Sequence, residues 1–259
     1  MKDFKVIAMI PARYGSSRLP GKMLLHLGGR PLITRTCEAA LSTGLFSDVY
    51  VVTDDVRICD AVRNTGAMCV MSSCGHATGS DRIAEAVRDI DCSIVVNIQG
   101  DEPFTNRNTI EKVLTPMIED AEGRIDLCTL KERMEDWDEI SSPDNVKVIT
   151  DKDGFAIYFS RSPIPYPRDP DSGAAYYRHI GIYAFRKETL LMFPQLPMRQ
   201  NEAAEKIECL RFLEHGKRIK VEETDGMQVS IDTQADLDKA EKILASMESV
   251  HRDSVAVKL

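Results

Sequence analysis

The sequence predicts an α/β protein in which helices cover both faces of a mostly parallel sheet, giving three layers. In the first half of the chain, short apolar runs alternate with amphipathic stretches long enough to form helices. Strands that alternate with helices in this way form parallel sheets. After Leu130, β-rich runs are separated only by turns and loops. This change predicts antiparallel strands inserted over residues 130–190, approximately.

Four strands and three helices are predicted before residue 100. The strands are Val6–Ile10, Val49–Val52, Met68–Met71 and Ile94–Ile98, and the helices are Leu32–Leu41, Val56–Asn64 and Asp81–Val87. Ligands of such sheets bind beyond the carboxyl ends of the strands. The loops after Ile10, Val52, Met71 and Ile98 are therefore expected to carry the functional residues.

The second half is predicted to contain a hairpin, a longer strand and two helices. The strands are Val146–Thr150, Phe155–Phe159 and Tyr176–Phe185, and the helices are Asn201–Glu214 and Thr233–Met247. Asp151–Gly154 has the composition of a hairpin turn, and Ser162–Gly173 that of a loop. Residues 250–259 show no clear period and are expected to be disordered or to be a tag-like extension. Since no internal repeat or linker is visible, residues 1–259 are predicted to form one domain.

The charge and hydropathy of the chain disfavour several classes of protein. The net charge is -8, and there is no basic tract, whereas nucleic-acid-binding proteins present a basic face. No apolar run approaches the length of a membrane span, and Val6–Ile10 is too short for the core of a signal peptide. A cytoplasmic protein with no nucleic-acid or membrane partner is therefore expected.

Seven cysteines are scattered along the chain without a CxxC pair. An odd count without paired spacing argues against a zinc knuckle or a redox dithiol. Most of these cysteines lie in apolar stretches, which predicts buried thiols that stay reduced, as is usual in the cytoplasm.

The loop after the first strand is basic and rich in glycine. Residues 11–22 read Pro-Ala-Arg-Tyr-Gly-Ser-Ser-Arg-Leu-Pro-Gly-Lys. The segment therefore combines three cations, Arg13, Arg18 and Lys22, with two glycines. Glycine lets backbone N–H groups approach a phosphate, and the cations neutralise its charge. A solvated basic turn is the alternative, but it is less expected in an acidic chain. The order of residues matches neither a P-loop nor GxGxxG.

Two aspartates stand next to the ends of predicted elements. Asp101 follows the buried strand Ile94–Ile98, and Asp232 precedes the helix Thr233–Met247. Aspartate is common in turns after strands and at helix N-termini. On its own, each residue is explained as well by such a local role as by contact with a ligand.

Further polar motifs follow in order along the chain. They are Val51–Asp55, Gly75–Arg82, Asn97–Pro103, Asn145–Val148, Tyr158–Arg161, Arg178–Tyr183, the glutamates at 202, 205 and 208, and Ile231–Thr233. Together with the loop Pro11–Lys22, this series resembles the 3-deoxy-manno-octulosonate (Kdo) cytidylyltransferases over Lys5 to about Ala245. The resemblance implies a nucleotidyltransferase (Rossmann-like) fold with an antiparallel dimerisation insertion, and hence a homodimer.

The resemblance also implies an activity and a cofactor. Enzymes of this family transfer CMP from CTP to the anomeric hydroxyl of Kdo and release pyrophosphate, in support of lipopolysaccharide synthesis. Mg²⁺ is the implied cofactor, with Asp101 and Asp232 as its ligands, and two carboxylates plus phosphate oxygens suit this ion. The implied catalytic residues are Arg13, Lys22, Asp101 and Asp232.

The substrate contacts that the resemblance implies form two groups. CTP is expected to contact Arg13, Ser16, Arg18, Lys22, Ser80, Arg82 and Gln99. The sugar acid is expected to contact Gln99, Arg161, His179, Tyr183 and Glu208. An arginine fork suits the carboxylate of the sugar, and the remaining side chains suit its hydroxyls.

Alternatives stay open at this point. An enzyme for 8-amino-Kdo or an acylneuraminate cytidylyltransferase would share most of these motifs. A non-catalytic nucleotide-binding regulator built on the same fold is less expected, because Lys22, Asp101 and Asp232 are all present.

Overall fold

The computed structural model of the chain describes residues 4–16, 19–76, 78–169, 171–225 and 229–256, with side chains as far as residue 247. A nine-stranded sheet lies at its centre and separates two hydrophobic cores, which confirms the predicted α/β fold. Over the described ranges, no helix is both long and apolar enough to cross a bilayer.

The strands and helices alternate through the first half of the chain. The strands are β1 (Val6–Ala12), β2 (His26–Leu27), β3 (Arg30–Pro31), β4 (Asp48–Thr53), β5 (Met68–Met71), β6 (Ile94–Asn97), β7 (Leu127–Met134), β8 (Lys147–Thr150), β9 (Ala156–Ser160), β10 (Tyr176–Arg186) and β11 (Ile219–Glu223). The α-helices are α1 (Leu32–Ser42), α2 (Val56–Val62), α3 (Gly79–Ala86), α4 (Arg107–Glu119), α5 (Trp137–Ser141), α6 (Lys187–Met192), α7 (Gln200–Glu205), α8 (Cys209–Glu214) and α9 (Gln234–Ala256).

The main sheet combines a parallel half with an antiparallel half. Its strand order is β11-β7-β10-β6-β1-β4-β5. β1 pairs in parallel with β4 and β6, and β4 pairs in parallel with β5. β10 runs antiparallel to both β6 and β7, and the hairpin β8–β9 joins the sheet where β8 pairs with β10. The antiparallel strands expected after Leu130 are therefore present, and β10 attaches them to the parallel half.

β1 is buried along its whole length because helices cover both faces of the sheet. Ile7 and Met9 belong to the core that contains α3 and α8, whereas Ala8 and Ile10 belong to the core that contains α1 and α4. A strand that is buried on both faces needs a continuous apolar run. This explains why the first strand shows no alternation of polar and apolar residues.

The predicted strands and the first three predicted helices agree with the observed ones to within two residues at each end. The turn Asp151–Gly154 is confirmed: the backbone N of Asp151 donates to the carbonyl of Phe155 at 2.8 Å, and Gly154 has a φ of 77°. The sequence pattern made no assignment for the segments that form α4, β7 and β11.

The single helix predicted over Asn201–Glu214 is wrong, because α7 and α8 are separate helices. The chain turns at Lys206, whose φ of 55° lies in the left-handed region. The break sends three glutamates to different partners. Glu202 forms a buried ion pair with Arg211, and Glu205 accepts hydrogen bonds from Ser160 and the backbone of Arg161. The third, Glu208, precedes α8.

The helix predicted over Thr233–Met247 is longer in the structure, where α9 spans Gln234–Ala256. No Gly or Pro occurs between Gln234 and Ala256, and a helix without such residues gains one hydrogen bond for each residue it adds. The apolar periodicity fades before residue 250, and it was this fading that suggested disorder.

The prediction of buried, reduced thiols, made for most of the cysteines, does not hold for one pair. Cys59 of α2 and Cys69 of β5 form a disulfide, with their Cα atoms 5.5 Å apart. Their spacing matches no motif, so only the packing of α2 against β5 reveals the pair. Cys37, Cys128 and Cys209 are buried free thiols, as predicted.

We predict that Arg211→Met destabilises the protein far more than Arg63→Met. The side chains of Arg211 and Glu202 are 7% and 3% exposed, so the substitution leaves a buried carboxylate without its partner, at a cost of roughly 3–5 kcal/mol. Both side chains of the Arg63–Asp60 pair are exposed, and the loss of this ion pair should cost at most about 1 kcal/mol. Urea unfolding of both variants measures the difference, and equal midpoints would contradict the prediction.

Candidate active site

Two adjoining cavities lie at the carboxyl ends of the parallel strands. The smaller cavity, of about 300 Å³, is lined by residues that follow β1, β5 and β6, among them Arg13, Lys22 and Arg82. The larger cavity, of about 840 Å³, is lined mainly by residues of the antiparallel insertion and by the start of α9. Gln99, Asp101 and Asp232 line both cavities. Three of the four loops that were expected to carry functional residues, those after β1, β5 and β6, therefore line the smaller cavity.

Lys22 connects the two aspartates that the sequence singled out. Its Nζ donates to Oδ2 of Asp101 at 2.5 Å and to Oδ1 of Asp232 at 2.9 Å. Burial alone would lower the pKa of Lys22, but the charges and hydrogen bonds of the two carboxylates outweigh this effect and raise the pKa. Lys22 is therefore an ammonium ion at neutral pH.

Lys22, Asp101 and Asp232 form an ion triad, and backbone contacts bring their three segments together. The N–H of Ile231 donates to the carbonyl of Asp101 at 3.1 Å, which places Asp232 beside Asp101. Gly21, with a φ of 66°, forms the turn that directs Lys22 inwards. A Cβ on Gly100 would lie 3.1 Å from the carbonyl of Pro11 and 2.8 Å from Sδ of Met23. Glycine at this position therefore allows the loop after β6 to approach the loop after β1.

Arg82 closes one wall of the smaller cavity and is held firmly in place. It is 4% exposed, and its guanidinium donates to the Ser72 hydroxyl at 2.6 Å and to the Asp54 carboxylate at 2.9 Å. The loop after β4 thus contributes Asp54 as a support for Arg82 and is absent from the lining of the cavity. Ser16 and Gln99 also line the smaller cavity, as expected for nucleotide contacts.

The larger cavity contains four of the five predicted sugar contacts: Gln99, Arg161, His179 and Tyr183. The guanidinium of Arg161 donates to the backbone carbonyls of Glu205 at 2.7 Å and Pro143 at 2.8 Å. These bonds fix the direction in which the guanidinium points. An arginine anchored by backbone carbonyls keeps its positive charge, which suits an anionic ligand.

His179 lies deeper in the larger cavity, against the sheet. Its Nε2 is 3.0 Å from the Thr129 hydroxyl, and its ring packs edge-on against Phe159 and close to Tyr183. Burial lowers the pKa of His179 to about 4. The imidazole is therefore neutral at pH 7 and can serve as a hydrogen-bonding group. The structural role that is common for a lone strand histidine is compatible with this position too.

Two predicted contact residues are paired with each other outside both cavity linings. The Ser80 hydroxyl donates to Glu208 at 2.9 Å, although the two residues are 128 positions apart. Ser80, predicted to contact the nucleotide, is fully buried, and Glu208, predicted to contact the sugar, is absent from the lining of the larger cavity. Neither residue lines the cavity to which it was assigned, and both ligand contacts stay predictions. Arg18, the remaining predicted nucleotide contact, lies outside the described residues.

Comparison with known proteins identifies the family. A family model described as cytidylyltransferase matches residues 7–219. A relative from Christiangramia forsetii named 3-deoxy-manno-octulosonate cytidylyltransferase is 54% identical over 241 residues, covering 93% of this chain and 97% of the relative. A relative of the same name from Flavobacterium johnsoniae is 53% identical over 240 residues, covering 93% of this chain and 98% of its own. The chain belongs to the cytidylyltransferase family.

A solved structure also matches this cytidylyltransferase chain over nearly its whole length. It is described as CMP:2-keto-3-deoxy-manno-octonic acid synthetase complexed with CTP, with a TM-score of 0.88 and 38% identity, covering 94% of this chain and 99% of the other. A second solved structure is that of a 4-diphosphocytidyl-2C-methyl-D-erythritol synthase from Anaerococcus prevotii, with a TM-score of 0.61 and 17% identity. At this identity the match shows only that the two chains have the same fold.

The residues of this cytidylyltransferase fit a magnesium ion better than a transition metal. Within the described ranges, no cluster of three or more His, Cys, Asp or Glu side chains could hold a metal. Asp101 and Asp232 already share one cation, the Lys22 ammonium. Magnesium is bound through few carboxylates together with phosphate oxygens, so this pair suits it once a triphosphate is present.

Several residues of the site were not predicted as ligand contacts. His76, Thr78 and Gly79 line the smaller cavity, and Arg178 lines the larger one. All four lie in motifs that the sequence analysis identified, so their membership of those motifs was an available signal. Arg178 is tied to Glu132 by an ion pair at 2.5 Å.

Glu102 is a further unpredicted residue of the larger cavity. It is 5% exposed, and its Oε2 has no hydrogen-bond partner among the described residues. Burial and the nearby charge of Asp101 raise the pKa of Glu102 to about 8. A buried oxygen without a partner is costly, so a ligand that reaches it gains a contact.

We predict that His179 titrates near pH 4. Its pKa falls from an ordinary value of 6.5 to about 4 on folding, so the unfolded chain binds this proton more readily than the folded one. The free energy of unfolding should therefore decrease as pH falls from about 6.5 towards about 4, and His179→Gln should reduce that dependence. NMR titration of ¹³C-labelled histidine, with His179→Gln assigning the signal, gives the midpoint. A midpoint near 6.5 would contradict the prediction.

Proposed function

We propose that this protein transfers CMP from CTP to the anomeric hydroxyl of Kdo and releases pyrophosphate. The observation that carries the proposal is that Gln99, Asp101 and Asp232 line both cavities. A nucleotide in the smaller cavity and a sugar acid in the larger one therefore meet at the ion triad. The names of the relatives supply the identity of the sugar, and the protein would serve lipopolysaccharide synthesis in the cytoplasm.

The smaller cavity would bind CTP through its cationic residues. Arg13 and Lys22 come from the loop after β1, and Arg82 comes from α3. Three cations suit a triphosphate, and charge that develops on the departing pyrophosphate is stabilised by donors that are already in place. Ser16 and Gln99 would add polar contacts from neighbouring loops.

The larger cavity would hold the sugar acid with its carboxylate on Arg161. His179, neutral at pH 7, and Gln99 would hydrogen-bond the sugar hydroxyls. Tyr183 is 6% exposed, and its hydroxyl lies near the thiol of Cys209, so its ring would form a wall. This arrangement directs the anomeric hydroxyl towards Asp101 and Asp232.

The transfer would be a direct displacement between the two cavities. The anomeric hydroxyl would give up its proton to water, and its oxygen would form a bond to the α-phosphorus as the bond from that phosphorus to the oxygen bridging to the β-phosphate breaks. Pyrophosphate would leave with the electron pair of the broken bond. Binding the two substrates on either side of the residues shared by both cavities would align the anomeric hydroxyl with the α-phosphorus, as such a reaction requires. A magnesium ion on Asp101 and Asp232 would neutralise phosphate charge and lower the pKa of the attacking hydroxyl.

We further infer that two copies of the chain associate through the antiparallel insertion. Trp137, Ile157 and Tyr166 belong to this region and are 54%, 57% and 85% exposed. Large apolar side chains exposed in one region are typical of interfaces. This observation supports the homodimer that the family resemblance implies.

We predict that the purified protein releases pyrophosphate from CTP only when a sugar acid and Mg²⁺ are present. Kdo should be the best acceptor in a panel with 8-amino-Kdo and N-acetylneuraminate, and ATP should replace CTP poorly because a pyrimidine-sized pocket rejects purines. Asp101→Asn, which is nearly isosteric, should lower kcat by about 100-fold or more. A better acceptor than Kdo would change the substrate, and no turnover with any acceptor would favour the non-catalytic regulator.

Arg161→Ala is predicted to impair the sugar half of the site alone. Loss of the partner of the sugar carboxylate should cost roughly 2–5 kcal/mol, seen mainly as a higher KM for Kdo. The KM for CTP should stay nearly unchanged. Arg168→Ala, which removes an exposed cation from a loop of the same insertion, is the matched control. An effect of Arg161→Ala on CTP rather than on Kdo would refute this division of the site.

A further inference from the structure

The ion triad has a consequence for the order in which the site fills. Nζ of Lys22 lies 2.5 Å from Oδ2 of Asp101 and 2.9 Å from Oδ1 of Asp232. The side chains of Lys22 and Asp101 are 9% and 15% exposed. One cation of the protein itself therefore occupies the space between the carboxylates, in a largely enclosed position.

We propose that Lys22 is the resident counter-ion of the carboxylate pair and that a divalent cation binds tightly only once the triphosphate draws Nζ away. The proposal rests on the function proposed above, since it takes Asp101 and Asp232 as the metal ligands. It adds a role for Lys22 that precedes the reaction. Nζ of Lys22 would leave the oxygens of the two carboxylates and bind oxygens of the phosphates instead.

The exchange follows from competition for the same two carboxylates. A divalent cation bound by both of them would take the space between them that Nζ now occupies. It would also repel the ammonium at short range in a partly buried site, where charges interact more strongly than in water. Lys22 must therefore move before the cation can bind tightly.

The smaller cavity offers Nζ of Lys22 an alternative set of anionic partners once a triphosphate is bound there. Lys22 and Arg13 both line the smaller cavity, so a triphosphate bound there presents anionic oxygens beside Nζ. Lysine carries its charge on a flexible four-carbon stem, which suits movement between two anionic partners. Nucleotide and metal would then strengthen each other's binding, because linkage between two sites is reciprocal.

Binding of Mn²⁺ to the nucleotide-free full-length protein tests the proposal, with free Mn²⁺ followed by electron paramagnetic resonance. A site that is open only when Lys22 is displaced binds more weakly in proportion to the open fraction. Lys22→Met, close in length but uncharged, should therefore bind Mn²⁺ roughly tenfold more tightly than the wild type. Arg13→Met removes one cation from the same cavity and should have a much smaller effect.

A second comparison adds CTP without any sugar acid. CTP should tighten Mn²⁺ binding by a larger factor in the wild type than in Lys22→Met, because only the wild type has an ammonium ion to displace. Circular dichroism melting confirms that each variant is folded. Lys22→Gln, which is shorter and also neutral, carries the same expectation if Lys22→Met does not fold.

The outcomes separate this proposal from the proposed function. Equal Mn²⁺ affinity in the wild type and Lys22→Met, with binding lost in Asp101→Asn, would overturn the exchange and leave the metal site standing. Equal tightening by Lys22→Met and Arg13→Met would also overturn it, because the effect would then be one of overall charge. Absence of Mn²⁺ binding in every protein, with CTP or without, would overturn the metal site itself.

Discussion

The ion pairs of Lys22 with Asp101 and Asp232 are the constraint on which the site depends. The three residues are separated in sequence by 79 and 210 positions, and they come from three segments of the chain. Two carboxylates brought this close repel each other unless a cation lies between them. Every state of the site must therefore provide that cation, whether it comes from the protein or from solution. This requirement links the folded resting state to the chemistry.

The sheet explains why the triad lies between two cavities. β1 is paired on both sides, and β6 beside it carries the loop that ends in Gln99, Gly100 and Asp101. β10 pairs with β6 from the other side and contributes His179 and Tyr183 to the larger cavity. The boundary between the parallel and antiparallel halves of the sheet is thus also the boundary between the two cavities. A reaction that joins two substrates needs such a boundary.

Local patterns predicted those features that depend on local physics. The continuous apolar run of β1 revealed a strand buried on both faces, and the rule that ligands bind beyond strand ends located Lys22 and Asp101. The break at Lys206 was not predictable from periodicity, because it depends on the burial of Glu202 against Arg211. The Cys59–Cys69 disulfide and the position of Nζ between two aspartates also depend on tertiary contacts, to which sequence spacing gives no direct access.

The pair Ser80–Glu208 shows that residues of two motifs can also support the site through each other. Both residues lie in motifs that resemble the family pattern, yet each satisfies the other through a hydrogen bond of 2.9 Å. Ser80 belongs to α3, which also carries Arg82 of the smaller cavity, and Glu208 lies one residue before Cys209, whose thiol is near Tyr183 of the larger cavity. This bond therefore ties the wall of one cavity to the wall of the other. Catalysis that relies on the alignment of two substrates depends on such supporting contacts as well as on the groups that touch them.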